Sequence, residues 1–422
     1  MTSQLSPPLT AQQASIVLES DQDAAPPLLP VQTIEHAGQA LEAARSLARA
    51  ALTEAALRDS ERKLPWNEIE RFTSSGLGSI AIPRQYGGPG LSFVTIAEVF
   101  RTISQADPSL GQIPQNHFGI IQLLLASGSE TQKRRLLKTV LEGWRIGNAG
   151  PERNSKHTLD VRARIVSDGG NYVLSGEKFY STGALFAHWI AAKAIDDEGR
   201  LVLAFIPRGT PGLRILNDWS GFGQRTTASG TILLDRVPVA AENIIPIWKL
   251  VEQPNIQGSS SQLVQAAIDV GIARAALEDT IAFVRTQARP WIDAGVERAG
   301  DDPYVIADIG RLQLDLHAAE SLLKRAGRVL DEINAAPIDA DSAARASIAV
   351  AEAKVLTTEI SLAASEKLFE LAGSRATLAD YNLDRHWRNA RTHTLHDPVR
   401  WKYHAIGNYH LNGAKPARHS WI

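Results

Sequence analysis

VRARIVSDGGNYVLSGEKFYSTG, residues 161–183, is the stretch on which the fold class turns. Apolar and polar residues alternate through 161–166 and again through 172–175, the period of two that a half-buried strand needs. Between them stands Asp168-Gly169-Gly170-Asn171, turn chemistry that closes an antiparallel hairpin. A second pair of strand patterns, 188–195 and 201–207, flanks Asp196-Asp197-Glu198-Gly199. A short pattern at 231–234 and the stretch VPVAAENII end the β section near residue 245.

On both sides of this section the period is helical. Before it, apolar residues recur three and four apart over 33–60, then around 66–74, 92–104, 115–127 and 131–141. After it, Gly258-Ser259-Ser260-Ser261 is expected to cap a long helix. Helical patterns follow over 303–334, over 341–372 and, shorter, from Pro398. The expected class is α+β, with a mobile arm over the Pro-, Gln- and Ser-rich residues 1–30, a helical domain over 31–143, a central β-domain over 144–245 and a helical bundle over 246–422. YGGPG at 86–90 reads as a turn, because no strand precedes it and no Gly-Lys-Ser/Thr follows it.

Composition narrows the function. The chain has 422 residues, with 44 Lys and Arg against 46 Asp and Glu. That balance and the lack of a basic stretch remove the electrostatic footprint of nucleic-acid binding. No apolar run approaches about 18 residues, so no membrane span is expected. MTSQLSPPLT lacks the order of a signal peptide, and a cytoplasmic protein is expected. Cysteine is absent and methionine occurs once. Disulfides, Cys-ligated zinc, iron–sulfur clusters and thiol catalysis are thereby excluded. Such a chain is cheap to make when sulfur is scarce; compositional drift explains the counts equally well.

Histidine clusters late. Of eleven, His386, His393, His396, His404, His410 and His419 follow residue 385. His393 and His396 share a face if their segment is helical. A metal would need a third ligand and a motif that the sequence lacks, so no metal is expected.

Taken together, YGGPG, LSGEKFYSTG (174–183), FGQRTTASGT (222–231) before VPVAAENI, and ELAGSRA (370–376) before DRHWRNAR (384–391) resemble the acyl-CoA dehydrogenase superfamily over nearly the whole chain after about residue 31. ARPWIDAG (288–295) and HWRNARTHTLHDPVRWKYHAIGNYHLNG (386–413) resemble its flavin monooxygenase branch, which includes dibenzothiophene monooxygenase and the SfnB-type sulfur-acquisition oxidoreductases. The resemblance implies an N-terminal helical domain, a central β-barrel or sandwich and a C-terminal four-helix bundle, assembled as a homotetramer. It implies a flavin between β-domain and bundle, either reduced FMN supplied by a separate flavin reductase or FAD. The implied reaction is monooxygenation by O2, through a C4a-(hydro)peroxyflavin, of a small organosulfur or similar substrate. The rival is an acyl-CoA dehydrogenase with tightly bound FAD.

The same resemblance assigns residues. Asn148, Ala149, Gly150, Pro151, Glu152 and Arg153 occupy the loop along the flavin ring, though the dehydrogenases more often show Thr-Glu-Pro there. Glu177, Lys178, Phe179, Tyr180 and Ser181 supply the strand against the ring, with the Ser181 hydroxyl near N5. Arg289, Ser374 and Arg375 resemble phosphate contacts, and a guanidinium fork suits phosphate; surface salt bridges are the alternative for the arginines. His396 falls against the flavin, with His393 in the same pocket and His117 in the helical domain near the substrate. An imidazole, whose ordinary pKa is about 6.5, can donate a proton to a reduced oxygen species at neutral pH. Asp397 falls where the dehydrogenases keep a catalytic Glu, one methylene shorter. Three readings of it stand: a base, an N-cap before Pro398 at the first helical position, or a group that orients a nearby histidine. Trp219 lines the substrate pocket or packs in the core.

Overall fold

The structure, a computed structural model, describes residues 24–422. The expected mobile arm therefore lies, for its first 23 residues, outside the described part. The described chain forms a sheet unit (24–27, 145–220 and 228–246) and a helical unit (28–144, 221–227 and 247–422).

The sheet unit is one eight-stranded sheet. Its strands are β1 (Ile146–Ala149), β2 (Arg164–Asp168), β3 (Asn171–Lys178), β4 (Trp189–Ile195), β5 (Leu201–Pro207), β6 (Leu213–Ile215), β7 (Ile232–Val239) and β8 (Ile244–Ile245). Their order is β6-β7-β3-β2-β4-β5-β8, with β1 running parallel to β4. The expected hairpin is β2–β3, with Asp168 opposite Asn171. Gly169 and Gly170 both have positive φ, 57° and 94°, which a type I′ turn demands and which glycine adopts without strain. The second hairpin, β4–β5, closes from Ile195 to Leu201. Asp196 Oδ1 accepts from the main-chain N–H groups of Glu198 and Arg200 inside its turn. β4 and β5 are buried along nearly their whole length, so they read as continuous apolar runs rather than as alternation.

Where β4 begins, two buried arginines stitch the chain. The main-chain N–H of Arg145 donates to His188 Nδ1 at 3.0 Å, and Arg208 donates to the carbonyls of Ala184 and Leu185. Burial pushes the His188 imidazole down to about 4. A ring that must stay neutral in the fold withholds its stability contribution as pH falls from the unfolded value of about 6.5 toward 4. The loss expected over that window is about 3 kcal/mol. His188→Asn keeps an acceptor for the Arg145 N–H but cannot titrate. Urea unfolding of the full chain at pH 7.5 and 4.5 should therefore show a larger drop for wild type than for this variant. Equal drops would remove His188 as the cause.

The helical unit is built on Gln257–Thr286, Pro303–Asn334 and Ala340–Ala372, with Arg400–Asn412 against the last of these and Phe93–Ala106 against the first. Gly271 permits that last approach: a Cβ there would lie 2.6 Å from Ser104 Cβ and 2.8 Å from the Arg101 carbonyl. Local chemistry sets the helix starts. Asp302 accepts from the N–H groups of Tyr304 and Val305 with Pro303 at the first position, and Asp339 forms a capping box with Ser342.

Three expectations are corrected. The helical pattern over 33–60 is two helices, Ala37–Leu52 and Ala55–Glu61, broken at Thr53 and Glu54. Gly258–Ser261 do not cap the long helix; they form its first turn, which begins at Gln257 with Asn255 Oδ1 accepting from the Gln257 N–H. Asp397 is not an N-cap, because the last helix starts at Arg400 with Val399 preceding it, and the carboxylate is engaged elsewhere.

Candidate active site

In the sheet unit, the loop at 148–153 is braced by its own polar groups. Asn148 Oδ1 accepts from the Gly150 N–H, and Asn148 Nδ2 donates to the Tyr180 carbonyl. Lys178, fully buried, places Nζ 2.6 Å from Glu152 Oε1 and donates to the Gly150 carbonyl. Glu152 also accepts from the N–H groups of Arg162 and Ala163. Burial alone would raise Glu152, but Lys178 and these N–H groups hold its carboxyl below the usual range. The side chains of Glu152 and Lys178 thus hold the loop in shape. Glu177 is exposed, and Arg153 lies over the Phe179 ring at 3.7 Å. Phe179, Tyr180 and Trp219 form an aromatic cluster, with Tyr180 and Trp219 centroids 6.1 Å apart. Tyr180 sits at φ 57°, a left-handed kink between the strand and Ser181. Ser181 is 1% exposed, and its Oγ has no hydrogen-bond partner among the described residues. A hydroxyl buried without a partner costs roughly 1–3 kcal/mol, so this atom fits a ligand that bonds to it.

The helical unit brings His393 and His396 close but not onto one helical face. Asp384–His393 ends at His393, and His396 lies beyond it in a turn. Asn389 in this helix accepts from the Gln224 N–H, and Gly223 meets the helix so closely that a Cβ would lie 1.9 Å from the Arg388 carbonyl oxygen. His393 is buried, with Nδ1 2.5 Å from Asp269 Oδ1 and Nε2 3.0 Å from Gln112 Oε1. The other oxygen of Asp269 takes Lys354 Nζ at 2.5 Å and the Thr358 hydroxyl. Burial, with the Lys354 and His396 charges, outweighs Asp269 and holds the His393 imidazole below its ordinary value. Burial would raise Asp269, but Lys354 and His393 more than offset it.

His396 is more open, its side chain 37% exposed, with Nδ1 2.9 Å from Asp397 Oδ1. Asp397 is buried, and Lys402 Nζ lies 2.8 Å from its Oδ2. Burial would raise this carboxyl too, yet the His396 hydrogen bond and the Lys354 and Lys402 ammonium charges hold it far below the usual range. His396 Nδ1–H therefore donates to a permanent carboxylate, and Nε2 is the ring atom left to act. His117 is spent differently: buried, it donates from Nε2 to the Gly78 carbonyl at 2.8 Å. Arg289, Ser374 and Arg375 are exposed. The apolar cluster of Phe283, Leu368, Ala372, Ala376 and Leu383, with Ala288 packed against it, gathers their segments. Neither arginine has an ion-pair partner among the described residues, which leaves both guanidinium groups available to an anion.

Residues 35–144 match the family model of the acyl-CoA dehydrogenase N-terminal domain, and residues 263–401 that of its C-terminal domain. The chain belongs to the acyl-CoA dehydrogenase superfamily. A dibenzothiophene monooxygenase from Mycolicibacterium goodii is 34% identical over 395 residues, covering 90% of this chain and 95% of that protein. A probable FMNH2-dependent monooxygenase, SfnC, from Pseudomonas putida is 32% identical over 389 residues, 90% of this chain and 96% of that protein. The crystal structure of FMN-bound TdsC from Paenibacillus sp. A11-2 superposes with a TM-score of 0.86 at 31% identity, over 91% of this chain and all of that one. Within the superfamily, the chain stands on the flavin monooxygenase branch. Four groups of this superfamily member were not singled out from sequence: Gln112, Asp269, Lys354 and Lys402. Asp269 carried one signal, a lone charge inside an otherwise apolar helical run, AAIDVGIA, whereas Lys354 follows Glu352 in AEAKVLTT and carried none.

Proposed function

We propose that this chain is a reduced-flavin-dependent monooxygenase acting on a small organosulfur compound. The observation that carries the reading is the state of Asp397. A dehydrogenase needs a carboxylate free to take a proton from substrate. Asp397 is instead buried, paired with Lys402 and bonded to His396. What it leaves facing outward is the imidazole of His396. Similarity to the dibenzothiophene monooxygenase and to the FMNH2-dependent SfnC supports the same reading.

Reduced flavin, when bound, would supply the electrons with which one atom of O2 enters substrate and the other leaves as water. Within the helical unit, Arg289, Ser374, Arg375 and His396 are the groups proposed to hold it. FMN is the favoured flavin, because SfnC is named for FMNH2 and TdsC was crystallised with FMN. His396 Nε2 would hold or deliver a proton at the oxygen being transferred, with Asp397 fixing the tautomer. Asp269 and Gln112 take both ring nitrogens of His393.

A separate flavin reductase is the functional partner on this reading. Among the described residues no helix is long and apolar enough to cross a membrane, and we place the protein in the cytoplasm. Exposed Trp291, Ile292 and Tyr304, at 71%, 84% and 82%, support a homotetramer that covers them. The low sulfur count supports a role in sulfur acquisition.

The test is a reductase-coupled assay with FMN, NADH and a panel of organic sulfides, sulfoxides, sulfones and sulfinates, with products identified by mass spectrometry. Incorporation of one 18O atom from 18O2 into product is expected. If the protein instead purifies yellow with FAD and bleaches anaerobically on adding an acyl-CoA, the dehydrogenase reading replaces this one.

A further inference from the structure

Residues 419–422 lie against the first two turns of Gln257–Thr286 and are tied down there. Gln262, which has no exposed surface, donates from Nε2 to the Ser420 carbonyl at 3.1 Å. The Ser420 hydroxyl donates to Gln257 Oε1 at 3.3 Å, and Ile422 is buried. Gly258 makes the approach possible: a Cβ there would lie 2.6 Å from the His419 carbonyl oxygen and 3.3 Å from Ser420 Cα. Glycine is a poor helix former, and Gly258 stands in a helix with no left-handed backbone to require it. What the position requires is room for the crossing chain. On its other side the segment meets Lys402. Lys402 Nζ lies 3.0 Å from the Trp421 carbonyl oxygen and 2.8 Å from Asp397 Oδ2. One ammonium thus bridges the segment to the carboxylate whose Oδ1 lies 2.9 Å from His396 Nδ1. Lys402 and Asp397 are both buried. A lysine–carboxylate pair open to water is loose and weak, whereas one held between fixed partners keeps its geometry.

We propose that residues 419–422 form a positioning strap for His396, acting through Lys402 and Asp397. The proposal rests on the monooxygenase reading only for what His396 then does. Held by Gln262 and seated over Gly258, the strap fixes the Trp421 carbonyl. That carbonyl and Asp397 Oδ2 between them fix the Lys402 ammonium, which has three N–H groups to place and almost no exposed surface. With the ammonium fixed, Asp397 presents Oδ1 to His396 in one place. The ring then keeps its proton on Nδ1, and Nε2 stays free. Releasing the strap lets water reach Lys402. The ammonium can then leave the carboxylate, Asp397 gains freedom to turn, and His396 loses the partner that selects its tautomer. The strap acts only through Lys402 and Asp397, and its residues are positioning residues, not catalytic ones.

Gly258→Ala separates this role from that of a segment that is merely packed. Alanine favours a helix, so the helix itself should be as stable in the variant as in wild type, or more so. The added Cβ displaces the strap without replacing Lys402, Asp397 or His396. Gln262→Leu, of similar size, removes the donor to Ser420. In the full chain carrying either change, amide exchange over residues 415–422, followed by mass spectrometry, should quicken about five- to tenfold, as for the loss of one hydrogen bond. In protein labelled with 15N-histidine, the His396 resonances are identified by their loss in His396→Ala. At pH 8.5 they should be those of a ring protonated at Nδ1 in wild type and of a mixture of tautomers in the variants. In the reductase-coupled assay, kcat should fall about three- to tenfold with KM for FMNH2 within about twofold, a partial form of the loss that a misplaced catalytic group causes. Added to His396→Ala, either change should cost little more, because the ring it positions is already gone. A wild-type ring protonated at Nε2 overturns the proposal. So does a strap that exchanges faster while His396 keeps its resonances, unchanged exchange in both variants, or a fully additive loss on top of His396→Ala. If Gly258→Ala does not fold, Gln262→Leu decides it. A shift of tautomer in a protein that oxygenates no organosulfur compound supports the strap and sinks only the monooxygenase reading.

Discussion

His396→Ala should leave the fold in place and flavin binding largely intact, with Arg289, Ser374 and Arg375 still present to hold it, while product formation falls about ten- to a hundredfold and H2O2 release rises to match. Asp397 explains why the fold survives. It loses one hydrogen bond, worth about 1–3 kcal/mol to a charged group, but keeps Lys402 at 2.8 Å. The catalytic loss follows from the exposed Nε2. With Nδ1–H donated to Asp397, this is the atom that can hold or protonate the oxygen in transit. Removing a hydrogen bond of about 1–3 kcal/mol from that step lengthens it by the stated factor. O2 consumption should continue, because electrons still leave the flavin; they end on H2O2 rather than on product. The check is the ratio of product to O2 consumed, with peroxide measured by a peroxidase-coupled dye. An unchanged ratio would take His396 out of the reaction. A dehydrogenase behaves differently: His396→Ala would matter little, and Asp397→Asn would abolish anaerobic flavin reduction by substrate.

What sequence could and could not show follows from the range of the interactions. The β2–β3 hairpin was readable because its turn needs two consecutive residues with positive φ, and Gly169-Gly170 supply them locally. The start of Pro303–Asn334 was readable because Asp302 and Pro303 are adjacent, and the family was readable because its motifs are contiguous. The break at Thr53 was not, since an unbroken apolar period runs through it. Nor was the end of Asp384–His393, which placed His396 off the helix rather than on a face with His393. Asp397 before Pro398 has the local look of a cap, and only the fold shows Lys402 taking its carboxylate. Asp269 and Lys354 are 85 residues apart in sequence. Asp269 is visible as a lone charge in an apolar helical run, but no periodicity says that it meets Lys354, or that His393 completes them.

Lys402→Met should cost about 3–5 kcal/mol of stability, the penalty for leaving a buried carboxylate without its cation. Lys402 is 1% exposed, and Asp397 is 3% exposed. In the variant, Asp397 keeps the His396 N–H and the more distant Lys354 charge, and neither replaces an ammonium at contact distance. A second loss is local. Lys402 Nζ also donates to the Trp421 carbonyl, next to Ser420, whose carbonyl accepts from Gln262. The C-terminal segment should therefore loosen, and amide exchange near Ile422 should rise. The sign of the pH dependence separates the charge effect from the packing effect. Asp397 is held below the usual carboxylate range, so its contribution is fully present above an unfolded value of about 3.9 and fades only as pH falls through the folded one. The gap between wild type and Lys402→Met should accordingly be widest at neutral pH and narrow in acid, where the stranded carboxylate of the variant can take up a proton. Asp397→Asn combined with Lys402→Met removes both charges and should recover most of the loss, short of the Trp421 contact. Denaturant unfolding of the three proteins at pH 7.5 and 4 measures this directly. A Lys402→Met variant within about 0.5 kcal/mol of wild type, the range of an ordinary surface substitution, would mean that the ion pair does not hold Asp397. The case against Asp397 as a free base would then have to be reopened.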